Sequence, residues 1–283
     1  MTDICLKNLF NTENAVKMPI FGVEILYDTQ KNYPTVLKQV WGKEIIKDKI
    51  EWFKTATKKA QEVDASFVSI YLNIQDKNEI ENCAKFIEDI QKIAQLPLMV
   101  RFAQAQNLDV ELAKKIIPIL EKNTILAPIN SNNYEEIIKT INTANKEHIC
   151  VLRTPIDINL TKELNILSTD SGLKKENIII DPDTGCVGYG LDYGYSIIER
   201  ICLAKPTDEM LDMPIIVFCG EETFKAKEAR SEQENYVWGD VKNRALLWEI
   251  TTATALINAG ADCAVVWNPD TVRAIKKQYC EGL

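Results

Sequence analysis

Eight short apolar runs rich in β-branched residues recur along this chain, separated by segments whose apolar residues fall three and four apart. The runs are "IFGVEIL" (20–26), "FVSIYLN" (67–73), "LMVRFA" (98–103), "TILAPIN" (124–130), "ICVLRTP" (149–155), "NIIIDPD" (177–183), "PIIVFCG" (214–220) and "DCAVVWNP" (262–269). Strands that are apolar on both faces belong in a parallel sheet covered by helices. The intervening "KFIEDIQKIAQL" (Phe86, Ile87, Ile90, Ile93, Ala94) and "YEEIIKTINTA" (Ile137, Ile138, Ile141, Ala144) have helical periodicity. Eight strand-then-helix repeats with no Pro/Gly/Ser-rich linker predict one α/β domain over 1–283, a single (β/α)8 TIM barrel with a short N-terminal extension (1–18). Asp240 is placed to cap a helix starting at Val241, and Gly260 to end it.

Charge and cysteine usage narrow the partners. With 33 Lys plus Arg against 41 Asp plus Glu, the net charge of −8 repels phosphate backbones and anionic lipid. No nucleic acid and no membrane are expected as partners. No apolar stretch approaches the roughly 20 residues that span a bilayer. "MTDICLKNLF" lacks a secretory pattern, so a cytoplasmic location is expected. The eight cysteines are scattered, the closest pair being Cys186 and Cys202, and none forms C-x-x-C. This predicts no iron–sulfur cluster and no metal site on this chain, with most thiols serving as small buried apolar groups.

Barrels of this kind carry their sites at the C-terminal ends of the strands. There stand Glu24, Asn73, Arg101, Asn130, Arg153, Thr154, Asp157, Asp181, Asp183, Glu221, Glu222 and Asn268. Taken singly, most read as helix caps or loop solvators; together they make a polar mouth. The one histidine, His148, precedes the fifth run and so belongs to the opposite face, satisfied or solvent-facing. Clustered-histidine hydrolase sites and nucleophile–histidine triads therefore cannot be built at the mouth, and no catalytic residue is assigned.

After the sixth run comes "DPDTGCVGYGLDY" (181–193). Its glycines at 185, 188 and 190 are spaced three then two, unlike a dinucleotide fingerprint. Leu191 and Asp192 stand where a P-loop needs Lys and Ser/Thr. Two readings remain: a tight strand-to-helix turn, or a backbone surface open to something broad and not strongly anionic, with Tyr189 beside it.

"IIIDPDTGCVGYGLDYGYSIIERI", with "MPIIVFCGEETFKAKEA", "WGD", "RALLWEITTATALINAGAD", "NPD" and the earlier "VEILYD" and "NYEEIIKTINTANKEHICVLRTPIDINLTKELN", resembles the small subunit of the corrinoid iron–sulfur protein, the delta subunit of acetyl-CoA decarbonylase/synthase. The similarity runs through nearly the whole chain from about residue 20. It implies a barrel whose mouth caps a corrinoid (cobalamin) carried, with an iron–sulfur cluster, by a large subunit. That pair takes a methyl group from a methyltetrahydropterin-dependent methyltransferase and delivers it to acetyl-CoA synthase, both met transiently. On this reading Asp181, Thr184, Gly185, Cys186, Gly188, Tyr189 and Gly190 face the corrin. Departures from the family pattern are Cys186-Val187, Gly194, and Asn268 before Pro269. The long connection after the seventh run carries Phe224, Tyr236 and Trp238 among charges, which marks them as partner-interface anchors. A Val at Gly188 is expected to obstruct the corrinoid partner while leaving the free chain's unfolding nearly unchanged. The alternative is a barrel that itself binds methyltetrahydropterin as a methyltransferase, through Asn73, Asn130, Asp181 and Asn268.

Overall fold

The structure is a computed structural model that describes residues 18–29, 33–121, 123–232 and 237–281. Eight strands are present among them: β1 (Ile20–Leu26), β2 (Phe67–Tyr71), β3 (Leu98–Arg101), β4 (Ile125–Ile129), β5 (Ile149–Arg153), β6 (Ile178–Asp181), β7 (Ile216–Val217) and β8 (Cys263–Val266). The helices are α1 (Thr35–Trp41), α2 (Lys49–Glu62), α3 (Ile80–Ile93), α4 (Gln106–Ile116), α5 (Tyr134–Thr143), α6 (Ile158–Asp170), α7 (Leu191–Ala204), α8 (Cys219–Thr223), α9 (Lys227–Arg230), α10 (Val241–Ala259) and α11 (Pro269–Glu281). Every ladder is parallel, in the order β6-β5-β4-β3-β2-β1-β8-β7. A bridge between Ile180 and Ile215, with Ile180 N donating to Pro214 O at 2.8 Å, joins the two ends. The chain is a single (β/α)8 barrel.

Each strand alternates between two apolar environments. Phe21, Val23, Val68, Ile70, Val100, Leu126 and Leu152 pack outward against the helices. Ile20, Phe67, Met99, Ile125, Val151, Ile179, Ile216 and Val265 point inward and fill the barrel. Burying each such side chain contributes about 1.5 to 3 kcal/mol, which is why the strands read as continuous apolar runs.

The local signals for α10 hold. Asp240 accepts from Asn243 N at 2.9 Å, and Gly260 follows the helix at φ +120°. The seventh run differs from its predicted extent. Only Ile216 and Val217 are strand, because the chain turns into α8 at Cys219. That early turn brings Glu221 to the barrel mouth. No helix among the described residues is long and apolar enough to cross a membrane.

Candidate functional site at the barrel mouth

One step above the apolar plug, the same inward register places polar side chains. Glu24 pairs in register with Ser69, Tyr71 with Arg101, and Arg153 with Asp181. Glu24 and Arg101 are fully buried, and an unpaired charge there would be costly. Glu24 accepts from Ser69 Oγ, Arg101 Nη1 and Trp267 Nε1, each at 2.8 Å. Arg101 Nη2 donates to Glu221. Its guanidinium also lies 4.4 Å from the Tyr71 ring centroid and 4.3 Å from that of Phe218. Burial opposes the charge on Arg101, but Glu221 and Glu24 outweigh it and hold the pKa above its ordinary value. Burial likewise works against Glu221, yet Arg101, Lys225 and Arg153 keep its carboxyl well below the usual range.

A second cluster joins this one through Gln104. Its amide nitrogen donates to Tyr71 OH at 3.0 Å and Glu221 Oε1 at 3.2 Å, while its oxygen accepts from Arg153 Nη1 at 2.6 Å. Arg153 also grips Asp181 through Nε and approaches Asp183 at 3.6 Å. Burial raises the Asp181 carboxyl, with Arg153 opposing. Gln104 and Asp183 adopt positive φ, +63° and +53°, and both converge on Arg153. Such strain persists only where the surroundings impose it.

The glycine turn lies beside this network, outside it. Tyr189 N and Leu191 N both donate to Cys186 O, at 2.9 and 3.2 Å, closing a tight loop. A Cβ on Gly185 would sit 2.0 Å from Tyr189 O, so that glycine is required by the loop's own closure. Gly188 has φ +76°, and among the described residues the one neighbour a Cβ there would meet is the Trp248 ring, at an ordinary contact distance of 3.8 Å. The positive φ corrects the expectation that Gly188→Val would leave unfolding untouched, because any side chain is strained there. Asp181, Thr184 and Cys186 are buried, with Cys186 packed against Ala226, Ala229 and Trp248. They support the turn from beneath. Its outer surface consists of Gly188, Gly190 and Tyr189, the last 51% exposed with its hydroxyl donating to Glu228 at 2.9 Å.

Among the expected partner anchors, Phe224 is corrected: it is 3% exposed and stacks on Trp267 at 5.6 Å, which makes it core. Trp238 is half-buried under the Arg244 guanidinium. Tyr236 lies outside the described residues.

The asparagines proposed for a pterin are each engaged with backbone groups. Asn73 bonds the Asp28 backbone at 2.7 and 2.8 Å, Asn130 accepts from Asn132 N, and Asn268 from Asp270 N. Asp157 caps α6, accepting from Asn159 N and Leu160 N. Thr154 bonds Thr161, and Glu222 bonds Lys225 at 2.6 Å.

His148 is 1% exposed at the far end of the barrel, its Nδ1 accepting from Thr124 N, and burial pushes its pKa down to about 4. Ser69, Tyr71, Gln104 and Glu249 escaped the sequence reading. Fully buried Glu249 accepts from Trp267 N at 2.7 Å, Asn268 N at 3.2 Å and Thr271 Oγ1, and burial raises its carboxyl to about 7. Among the described residues, no group of three or more His, Cys, Asp or Glu side chains is placed to hold a metal ion.

Fold and mouth define a (β/α)8 barrel whose charged groups are paired with one another. Solved structures share the fold: a dihydropteroate synthase from Xanthomonas albilineans in complex with 7,8-dihydropteroate has a TM-score of 0.57 at 11% identity, covering 94% of each chain. A dihydropteroate synthase in complex with pteroic acid from Coxiella burnetii gives 0.59 at 12%, covering 95% of each. The family model for the CO dehydrogenase/acetyl-CoA synthase delta subunit matches residues 11–266, and the chain belongs to that family. The acetyl-CoA decarbonylase/synthase complex subunit delta of Methanopyrus kandleri is 30% identical over 265 residues, 91% of this chain and 64% of that protein. The Methanocaldococcus jannaschii subunit delta is 26% identical, over 92% and 64%. The chain thus spans 64% of the length of these two curated relatives.

Proposed function

We propose that this chain is a non-catalytic cytoplasmic subunit that covers the corrinoid of a cluster-carrying large subunit during methyl transfer from methyltetrahydropterin to acetyl-CoA synthase. One observation carries the reading beyond family membership: at the mouth, Glu24, Arg101, Glu221, Arg153 and Asp181 are locked to one another. A proton carrier must be free to meet a substrate, and these groups are already engaged. What the mouth offers outward is shape. Gly188 and Gly190 present backbone with no side chain, and Tyr189 adds an exposed ring beside them, a surface suited to a flat macrocycle. His148, the chain's one histidine, lies at the opposite end, consistent with a cobalt that takes no ligand from this chain. A bound corrinoid would supply a nucleophilic cobalt; this chain's residues would exclude water and oxidants and orient the ring.

The test is titration of this chain against its corrinoid-carrying large subunit. Trp238→Ala is expected to weaken association by about 1 to 4 kcal/mol with unfolding unchanged. Unchanged affinity together with a lowered melting temperature would place Trp238 in the fold alone.

A second reading, direct binding of methyltetrahydropterin, draws on the fold shared with dihydropteroate synthases in complex with pteroic acid and dihydropteroate. Against it stands the engagement of Asn73, Asn130 and Asn268 with backbone groups and of Asp181 with Arg153. Equilibrium binding of methyltetrahydropterin to the isolated chain separates the two.

A further inference from the structure

Helix α6 has an unusual inner face for a barrel helix: beside Leu164, which is in the core at 2% exposure, it buries polar side chains. Its buried face carries Thr161, Asn165 and Ser168, at 2%, 0% and 0% exposure, while Leu160, Ile166 and Leu167 are 43%, 37% and 36% exposed. Ile156, just before the helix, is 41% exposed. Leucines on such a helix ordinarily face the core and hydroxyls face water. Two of these inner polar side chains make hydrogen bonds, while Ser168 Oγ and Asn165 Oδ1 have no partner among the described residues. Thr161 Oγ1 bonds Thr154 Oγ1 at 2.7 Å, and Asn165 Nδ2 donates to Met210 O at 2.7 Å.

Leu160 and Leu167, with Pro155, line one side of an open groove of about 790 Å³ between α5 and α6, with buried Leu164 beneath them. Carboxylates border it: Glu135 and Glu163, with Asp183 lying 3.6 Å from Arg153. Arg153 is the one cation in its lining and is committed to Asp181 and Gln104; Glu136, also in the lining, is paired with Lys114.

We propose that this groove docks a segment of a partner protein that carries leucine-like side chains together with lysine or arginine. The leucine wall supplies the contact area, and the bordering carboxylates select the cations. A second copy of this chain fits poorly, because its net charge of −8 would set like charges against those carboxylates. The groove lies mainly at the ends of β4 and β5, and Leu160, Leu167, Glu135 and Glu163 all lie outside the glycine turn after β6.

The full-length chain is titrated with two labelled synthetic amphipathic helices, one of leucine and lysine, one of leucine and glutamate. The leucine–lysine helix is expected to bind, with affinity falling as salt rises, and the leucine–glutamate helix not to bind. Leu160→Ser with Leu167→Ser is expected to weaken binding about tenfold or more without lowering the melting temperature, since both side chains are exposed. Glu135→Lys with Glu163→Lys is expected to reverse the preference between the two helices. Equal binding of both helices, indifference to the leucine changes, or a lowered melting temperature of the leucine variant would overturn the proposal. So would a dimer of the free chain that the leucine variant dissociates.

Discussion

Inside the mouth, Glu24, Arg101, Glu221, Arg153 and Asp181 each have a partner of opposite sign within hydrogen-bonding reach. On the outer surface, Tyr189, Tyr193 and Leu247 stand 51%, 66% and 60% exposed, as do Leu160 and Leu167 of α6 to a lesser degree. In the interior the charges are matched by one another, although Arg101 Nε has no partner among the described residues, whereas the surface carries apolar side chains left exposed. A buried ion network holds geometry when its charges are matched, while uncovered aromatics and leucines gain most from a second surface. The contrast supports the proposal that binding takes place on the outer surface while the interior gives support.

The interior should therefore break by unfolding. Arg101→Met would leave Glu24 and Glu221 buried without their shared cation and should destabilise the chain by about 3 to 5 kcal/mol, read by chemical denaturation. A loss below about 1 kcal/mol would mean that water or a rearranged Arg153 replaces it.

The barrel floor sharpens the contrast through pH. The folded pKa of His148 is depressed to about 4, so the unfolded chain binds the extra proton first as pH falls below the ordinary value of 6.5. Relative to His148→Gln, the wild type should lose about 3 kcal/mol between pH 7 and pH 4, with the difference absent above pH 7. Glu249 runs the other way. Its carboxyl is raised to about 7, so its stabilising contribution is present below its ordinary value of 4.5 and lost as pH rises through 7. A wild-type profile parallel to that of His148→Gln would show that the imidazole is not dry in the folded chain.

At the boundary between the two regions, Gly188→Ala should cost about 1 to 2 kcal/mol in the free chain, because φ is +76° and a side chain is strained there. An unchanged melting temperature would indicate that the turn relaxes to another conformation.

The barrel was legible because eight apolar runs and their helical spacers are long-range regularities that no single residue can blur. Helix α10 was legible at both ends from Asp240 and Gly260. The network was half visible: Glu24, Arg101, Arg153 and Asp181 stood out as charges in apolar runs, but their pairing depends on register between strands far apart in sequence. Gln104 gave no signal, since its role follows from a positive φ in a loop. Phe224 misled because a long polar connection suggests exposure, whereas α8 folds the ring back onto Trp267. The glycines of 185–190 were read as making room for a ligand. Gly185 and Gly188 have local reasons of their own, which leaves the outer surface of the turn, and not its glycine count, as the basis for the corrinoid reading.

The most direct test is amide hydrogen exchange of this chain, alone and mixed with the corrinoid-carrying large subunit proposed as its partner. Protection concentrated at residues 187–193, lost when Tyr189 and Tyr193 are changed to Ser in a chain whose own stability is within about 0.5 kcal/mol of wild type, is the predicted result. A complex that forms with undiminished affinity while exchange at 187–193 stays unchanged would contradict it.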